Sequence, residues 1–253
     1  MNKQDRVLDL CRQMRLGAYV SEVYNTTEAQ THEEFLIKLL EGAVEARELE
    51  RQNRYRRQAD FDLYKTFEKF SFENIQLPEA LTLDSLKRCN FLKEGHNLIL
   101  YGVPGTGKTH LATALGVEAC KQGHPVLYYK TSKLVNMLVD LKSANKLNTF
   151  WKKLKKAKLL ILDEWGYIPF ERTGTQLLFE AVSQCYEQRS IIVTTNLPFN
   201  EWNTIFYDEK LTNAMLDRLV HHGHLIIHNG PSCYSQLKQA IKCLDCLTES
   251  CLV

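Results

Sequence analysis

Gly102-Val103-Pro104-Gly105-Thr106-Gly107-Lys108-Thr109 fits the pattern G-x-x-x-x-G-K-S/T. It follows a short apolar run, Asn97 to Tyr101, and precedes the helical pattern Leu111 to Lys121, which is the strand-turn-helix context that gives such a match meaning. The glycines permit backbone angles that turn successive N–H groups inward to cradle phosphate oxygens, and the helix behind adds its positive end. Lys108 is placed to offer a point charge to the β and γ phosphates, and the Thr109 hydroxyl to coordinate Mg²⁺. With His110 the segment makes a candidate site for ATP and Mg²⁺ running from Gly102 to His110.

Outward from this loop, four more short apolar runs alternate with helix-length amphipathic segments: Val126 to Tyr129, Leu159 to Asp163, Ser190 to Thr195 and His224 to His228. That alternation predicts an α/β fold, a parallel sheet with crossover helices on both faces. Lys158-Leu159-Leu160-Ile161-Leu162-Asp163-Glu164 is a strand ending in two acids, and strand carboxyl ends are where such sheets bind ligands. Asp163 is the candidate to hold Mg²⁺. Glu164 is the candidate to orient and deprotonate an attacking water. The run Ile191 to Thr195 ends in Asn196; if it lies between the other two strands, Asn196 reaches the γ-phosphate and the water.

Upstream, residues 1–70 read as a small all-helical domain and 71–253 as the nucleotide-binding domain, with the change of pattern near Phe70 to Pro78. Val7, Leu10, Cys11 and Met14 share one helical face, and Gly17 is a stop signal. Thr31 and Glu34 have capping-box spacing ahead of Phe35, Leu36, Leu39, Leu40, Ala43 and Leu49. The long helix runs into Arg47, Arg51, Arg54, Arg56 and Arg57, interleaved with Glu45, Glu48 and Glu50. A salt-bridged solvated face and a nucleic-acid contact are both open for this cluster.

A chain of 253 residues with 44% hydrophobic and 25% charged residues is folded rather than disordered. No apolar run approaches the roughly 18 residues that span a bilayer, and Met1 to Arg15 has no export-type segment, so the expected place is the cytoplasm. The eight cysteines are therefore expected as thiols, and Cys243, Cys246 and Cys251 lack the partners that would complete a zinc site. A net charge of +2 hides a local excess: ten lysines face one acid, Asp140, between Lys121 and Lys158. Lys146, Lys152, Lys153, Lys155 and Lys156 lie there beside Phe150 and Trp151. Such asymmetry suggests a polyanion, with DNA contact and a plain solvated face both open for the segment; contacts of this kind go to phosphates and are poorly sequence-specific and steeply salt-dependent.

Four stretches together resemble AAA+ ATPases of the IstB/DnaC group, and within it IstB, the helper ATPase of certain bacterial insertion sequences. They are GVPGTGKTHLA (Gly102 to Ala112), LLILDEWGYIPF (Leu159 to Phe170), EQRSIIVTTNLPFNEW (Glu187 to Trp202) and DRLVHHGHLI (Asp217 to Ile226). The resemblance implies strand order 5-1-4-3-2, ATP hydrolysis dependent on DNA and assembly, and Arg218 as a finger reaching the neighbouring subunit's nucleotide. It implies a homo-oligomeric ring or spiral on duplex DNA that recruits or stimulates a cognate transposase, with no membrane role. The alternative it leaves open is a DnaC-like replicative helicase loader, and outside enzymes a scaffold that binds ATP without turnover. His221-His222-Gly223-His224 match the family without a metal role and are expected to cap a helix at Gly223. Near the end the family's arginine after a Ser-Tyr pair is missing from Ser232-Cys233-Tyr234-Ser235, leaving Lys238 as a substitute.

Overall fold

The computed structural model describes residues 2–16, 18–166, 170–206 and 208–230. Gly17, the Ser232 to Lys238 region and the three carboxyl-terminal cysteines lie outside the described residues. Contacts divide the chain into two compact units, Met1–Tyr55 and Arg56–Val253.

The first unit holds α1 (Lys3–Gln13), α2 (Ala18–Val23) and most of α3 (His32–Ala59). Its core is Cys11, Val20, Leu39 and Ala43, with Val7, Tyr19 and Phe35 partly buried around them. Thr31 caps α3, its hydroxyl accepting from Glu34 N at 3.1 Å. The Glu34 carboxylate reaches back over the same turn, accepting from Gln30 N at 2.8 Å with the Thr31 backbone N–H also acting on it, and pairs with Lys38 at 2.7 Å. Leu10, Met14, Leu36, Leu40 and Leu49, expected on buried faces, are exposed. For Leu36, Leu40 and Leu49 the reason is length: α3 has 28 residues, and α1 and α2, of 11 and 6, are too short to cover it. Arg51 pairs with Glu48 at 2.6 Å and Arg47 donates to the Arg15 carbonyl at 2.6 Å, so part of the arginine cluster is engaged locally.

In the second unit the residues after Tyr55 pack with the sheet. Phe61 tilts against Tyr128 with ring centroids 5.7 Å apart, and Asp62 lies 3.7 Å from both Lys130 and Lys133. Helices α4 (Leu83–Lys87) and α5 (Phe91–Glu94) lead into the sheet, which comprises β1 (Ile75–Gln76), β2 (Asn97–Gly102), β3 (Val126–Lys130), β4 (Leu159–Trp165), β5 (Ser190–Thr195) and β6 (Gly223–His228). The strand order is β1-β6-β2-β5-β4-β3. β2 to β6 are mutually parallel and give the 5-1-4-3-2 order the resemblance implies; β1 adds an antiparallel pair at the edge through Ile75↔His228 and Gln76↔Ile227. The crossovers are α6 (Lys108–Lys121), α7 (Thr131–Ser143), α8 (Leu147–Lys156), α9 (Arg172–Cys185), α10 (Asn203–Phe206) and α11 (Glu209–Val220). Leu98, Ile99, Leu100, Leu159, Leu160, Ile161 and Leu162 are all buried, as strands covered on both faces must be.

At the far end of the sheet Asn97 ties three elements together. Its amide donates to the Arg218 and Leu219 carbonyls at 3.2 and 3.1 Å, and its oxygen accepts from Ile191 N at 2.8 Å. Gly223 is not a helix cap: α11 ends at Val220 with His221 still in the right-handed region, and Gly223 opens β6 without a positive φ. Glycine is required there because a Cβ would strike the Leu219 carbonyl. No helix among the described residues is long and apolar enough to cross a membrane.

Candidate nucleotide site

The carboxyl ends of β2, β5, β4 and β3 lie side by side, with Tyr101 level with Thr195 and Lys130 level with Asp163. The phosphate loop leaves β2 at Gly102 and becomes α6 at Lys108, with Gly105 and Gly107 at φ of 81° and 89°. A side chain at either position would be strained in that region. Lys108 Nζ donates to the Gly102 and Val103 carbonyls at 2.7 and 2.8 Å, folding the ammonium back over its own loop. Burial lowers its pKa, and the Asp163 charge opposes that shift.

His228 braces the loop from behind. Its Nδ1 meets the Thr106 carbonyl at 3.0 Å, and since a carbonyl only accepts, that nitrogen carries the proton. Burial lowers its pKa, so the ring stays neutral. A Cβ on Gly102 would stand 2.6 Å from the His228 carbonyl oxygen. Gly102→Ala is therefore expected to cost about 1–3 kcal/mol through overpacking, read as a lower thermal unfolding temperature; an unchanged temperature would mean that β6 yields without cost.

Asp163, fully buried at the end of β4, is surrounded by hydroxyls. Thr109 donates to its Oδ1 at 2.9 Å, Thr194 donates to the same oxygen, and Tyr128 donates to Oδ2 at 2.8 Å. Thr131 donates to the Asp163 carbonyl at 2.8 Å. Burial, with the Asp163 charge next, pushes the Tyr128 phenol upward, so it remains a donor. The hydroxyl of Thr109 and the carboxylate of Asp163 are thus neighbouring hard oxygen ligands. Mg²⁺ at phosphate sites takes such a set, one or two protein oxygens completed by phosphates and water, and the residues fit it. Among the described residues no group of three His, Cys, Asp or Glu side chains could hold a metal alone.

Glu164 is set apart from the strand by a bulge. Leu162 pairs with Val193 and Trp165 with Thr195, so two residues of β4 oppose Thr194 alone. Glu164 itself takes a left-handed φ of 56° and anchors its N–H on Thr194 Oγ1 at 3.0 Å. The carboxylate, with the side chain 39% exposed, pairs with Lys130 at 2.8 Å. That bond, with the charges of Glu164, Asp62 and Asp163 behind it, holds the Lys130 ammonium above its ordinary pKa.

Asn196 follows β5, the strand between β2 and β4, and its Oδ1 is buried without a hydrogen-bond partner, a condition that calls for a ligand or water. His110 is turned toward the segment before the sheet: its Nε2 meets the Thr66 carbonyl at 2.9 Å and its ring lies 5.1 Å from Phe70. Arg218, on the last turn of α11, makes no ion pair with Asp217 or Glu209. Its guanidinium lies 4.7 Å from the centre of the Phe179 ring and donates to the Ala214 carbonyl at 2.7 Å. Of the candidate lysines, Lys146, Lys152, Lys153, Lys155 and Lys156 are all exposed on or just before α8, whose Phe150, Trp151 and Leu154 are buried beneath. Tyr128, Lys130, Thr131 and Thr194 belong to the site and were not singled out from sequence. The available signal was position: each lies at or beside the carboxyl end of a run flanking the Asp163 strand.

A five-stranded parallel core in this order, with a phosphate loop on one strand and a buried Asp followed by a Glu two strands away, defines the AAA+ class of P-loop nucleotide-binding proteins. The chain belongs to the IstB-like ATP-binding protein family, whose model matches residues 12–241. It is 37% identical over 201 residues to a protein of insertion sequence IS21 from Pseudomonas aeruginosa that is named for ATP binding, covering 79% of this chain and 76% of that one. A counterpart in insertion sequence IS232 of Bacillus thuringiensis subsp. berliner is 36% identical over 202 residues, covering 79% and 80%. Among solved structures, AMPPCP-bound DnaA from Aquifex aeolicus aligns with a TM-score of 0.53 at 24% identity, covering 67% of this chain and about half of that one, 51%. The DnaC helicase loader aligns at 0.51 and 23% identity, covering 69% of this chain and 98% of that one. These likenesses concern the fold.

Proposed function

We propose that this chain hydrolyses ATP as the helper of an insertion sequence, assembling on duplex DNA and recruiting or stimulating its transposase. The observation that carries the reading is the meeting of Thr109, Asp163 and Glu164 beside the phosphate loop, in a member of a family whose relatives are proteins of insertion sequences.

The loop N–H groups and Lys108 bind the triphosphate, Lys108 exchanging its two carbonyl partners for phosphate oxygens. Thr109 and Asp163 hold Mg²⁺, which would screen the phosphate charge. Glu164, released from Lys130, orients the attacking water and accepts its proton. Asn196, with its free amide oxygen, contacts that water and the γ-phosphate. Arg218 leaves Phe179 to reach the nucleotide of an adjacent copy in a ring or spiral. The exposed lysines on and before α8 serve DNA contact through their charge, and the helical amino-terminal region, whose acids balance its arginines, serves DNA or partner contact.

The test is phosphate release by the purified chain with Mg²⁺ and ATP, with and without duplex DNA. DNA-stimulated release is expected; none under any condition would leave an ATP-binding scaffold. Arg218→Ala is expected to bind ATP normally and to release phosphate no faster with DNA than without. Undiminished stimulation would leave Arg218 as packing on Phe179.

A further inference from the structure

On α8 the residues Thr149, Lys152, Lys153 and Lys156 recur at helical spacing and stand on one face, away from buried Phe150, Trp151 and Leu154. That face does not look onto open solvent alone. It forms one wall of a pocket of about 360 Å³ whose other wall is Gln58, in the last turn of α3, with Pro125, Val126 and Leu127 at the start of the edge strand β3. Lys155 and Lys146 do not line it. Lys153 is steadied there, its Nζ 3.1 Å from the Tyr129 hydroxyl and 5.5 Å from the centre of that ring.

Every titratable side chain that lines this pocket is a lysine; the remaining polar side chains are the Gln58 amide and the Thr149 hydroxyl. Three ammonium groups around one concavity raise a positive potential that an anion relieves and that no acid of the lining neutralises. The lining also holds no aromatic ring. Sites for single-stranded nucleic acid stack bases on such rings, whereas duplex DNA presents its phosphates outward.

We propose that this pocket seats the phosphate backbone of duplex DNA, with α8 supplying charge from one side and the end of α3 closing it from the other. The inference rests on the DNA reading above and sharpens it, because it separates lysines that line a built recess from lysines that only add to the field. It also gives the last turn of the arginine-rich helix a role through Gln58.

The experiment is anisotropy of a labelled duplex with the full chain and ATP, over a series of salt concentrations. Lys152→Gln with Lys156→Gln is expected to flatten the log–log salt slope by about 1.8, two phosphate contacts at about 0.9 each; Lys146→Gln with Lys155→Gln is expected to flatten it by less than half as much. Gln58→Glu, far from the lysines in sequence, is expected to weaken binding at least tenfold. Asn148→Glu adds the same charge on α8 outside the pocket and is expected to weaken it less than threefold. Gln58→Lys is expected to tighten binding, which guards against misfolding as the cause, and all variants should keep wild-type ATP affinity. Equal effects of the paired variants, or stronger retention of a single strand than of the duplex, would overturn the pocket. Failure of the wild-type chain to bind duplex DNA at all would overturn the DNA reading itself.

Discussion

Lys108→Ala is expected to weaken ATP binding by at least about 100-fold, since two hydrogen bonds to charged groups are lost at about 1.5–3 kcal/mol each. Nζ already makes two such bonds to carbonyls of its own loop. The ammonium therefore sits over the turn before any phosphate arrives, and partial desolvation has been met in the fold rather than at binding. Removing it leaves the Gly102 and Val103 carbonyls facing the phosphates without a cation between them. Nucleotide titration by calorimetry reads the effect; affinity within tenfold of wild type would show that the glycine turn does not hold the triphosphate.

Glu164→Gln is expected to slow hydrolysis by about 10² to 10⁴, the usual contribution of a general base, while ATP affinity stays within about threefold. The amide keeps the shape and loses both the negative charge and the capacity to take a proton. The fold is not at stake, because the Lys130 pair it breaks is partly exposed and such pairs contribute about 0–1 kcal/mol. The left-handed backbone at 164 is retained, so the side chain projects from the bulge as before. Single-turnover phosphate release separates chemistry from binding. Turnover at the wild-type rate would remove Glu164 from the role and direct attention to another group near Asp163.

Much of this site was legible because its chemistry demands fixed spacing. A turn that aims N–H groups at phosphate needs glycines where Gly102, Gly105 and Gly107 stand, and the acids had to end a buried run to meet it. Other parts left no such mark. Tyr128 and Thr194 bond Asp163, yet within their apolar runs they look like ordinary strand residues, and only the register of neighbouring strands brings them to the carboxylate. The bulge that turns Glu164 out is one extra residue in a strand, invisible to periodicity. β1, of two residues, is too short to have a pattern. In α3 the apolar repeat was correct, but periodicity measures what a helix can bury, not how much of a neighbour is there to cover it. Glycine after a helix has two uses, and at Gly223 the closeness of Leu219 governs rather than a left-handed turn.

The Asn97 clamp ties α11, the helix that carries Arg218, to the phosphate-loop strand. Its three hydrogen bonds grip the tail of α11 and the base of β5 at the root of β2, and the opposite tip of β2 is the loop itself. A pull on Arg218 by an adjoining molecule would therefore load the whole length of the sheet instead of dissipating in a swinging side chain.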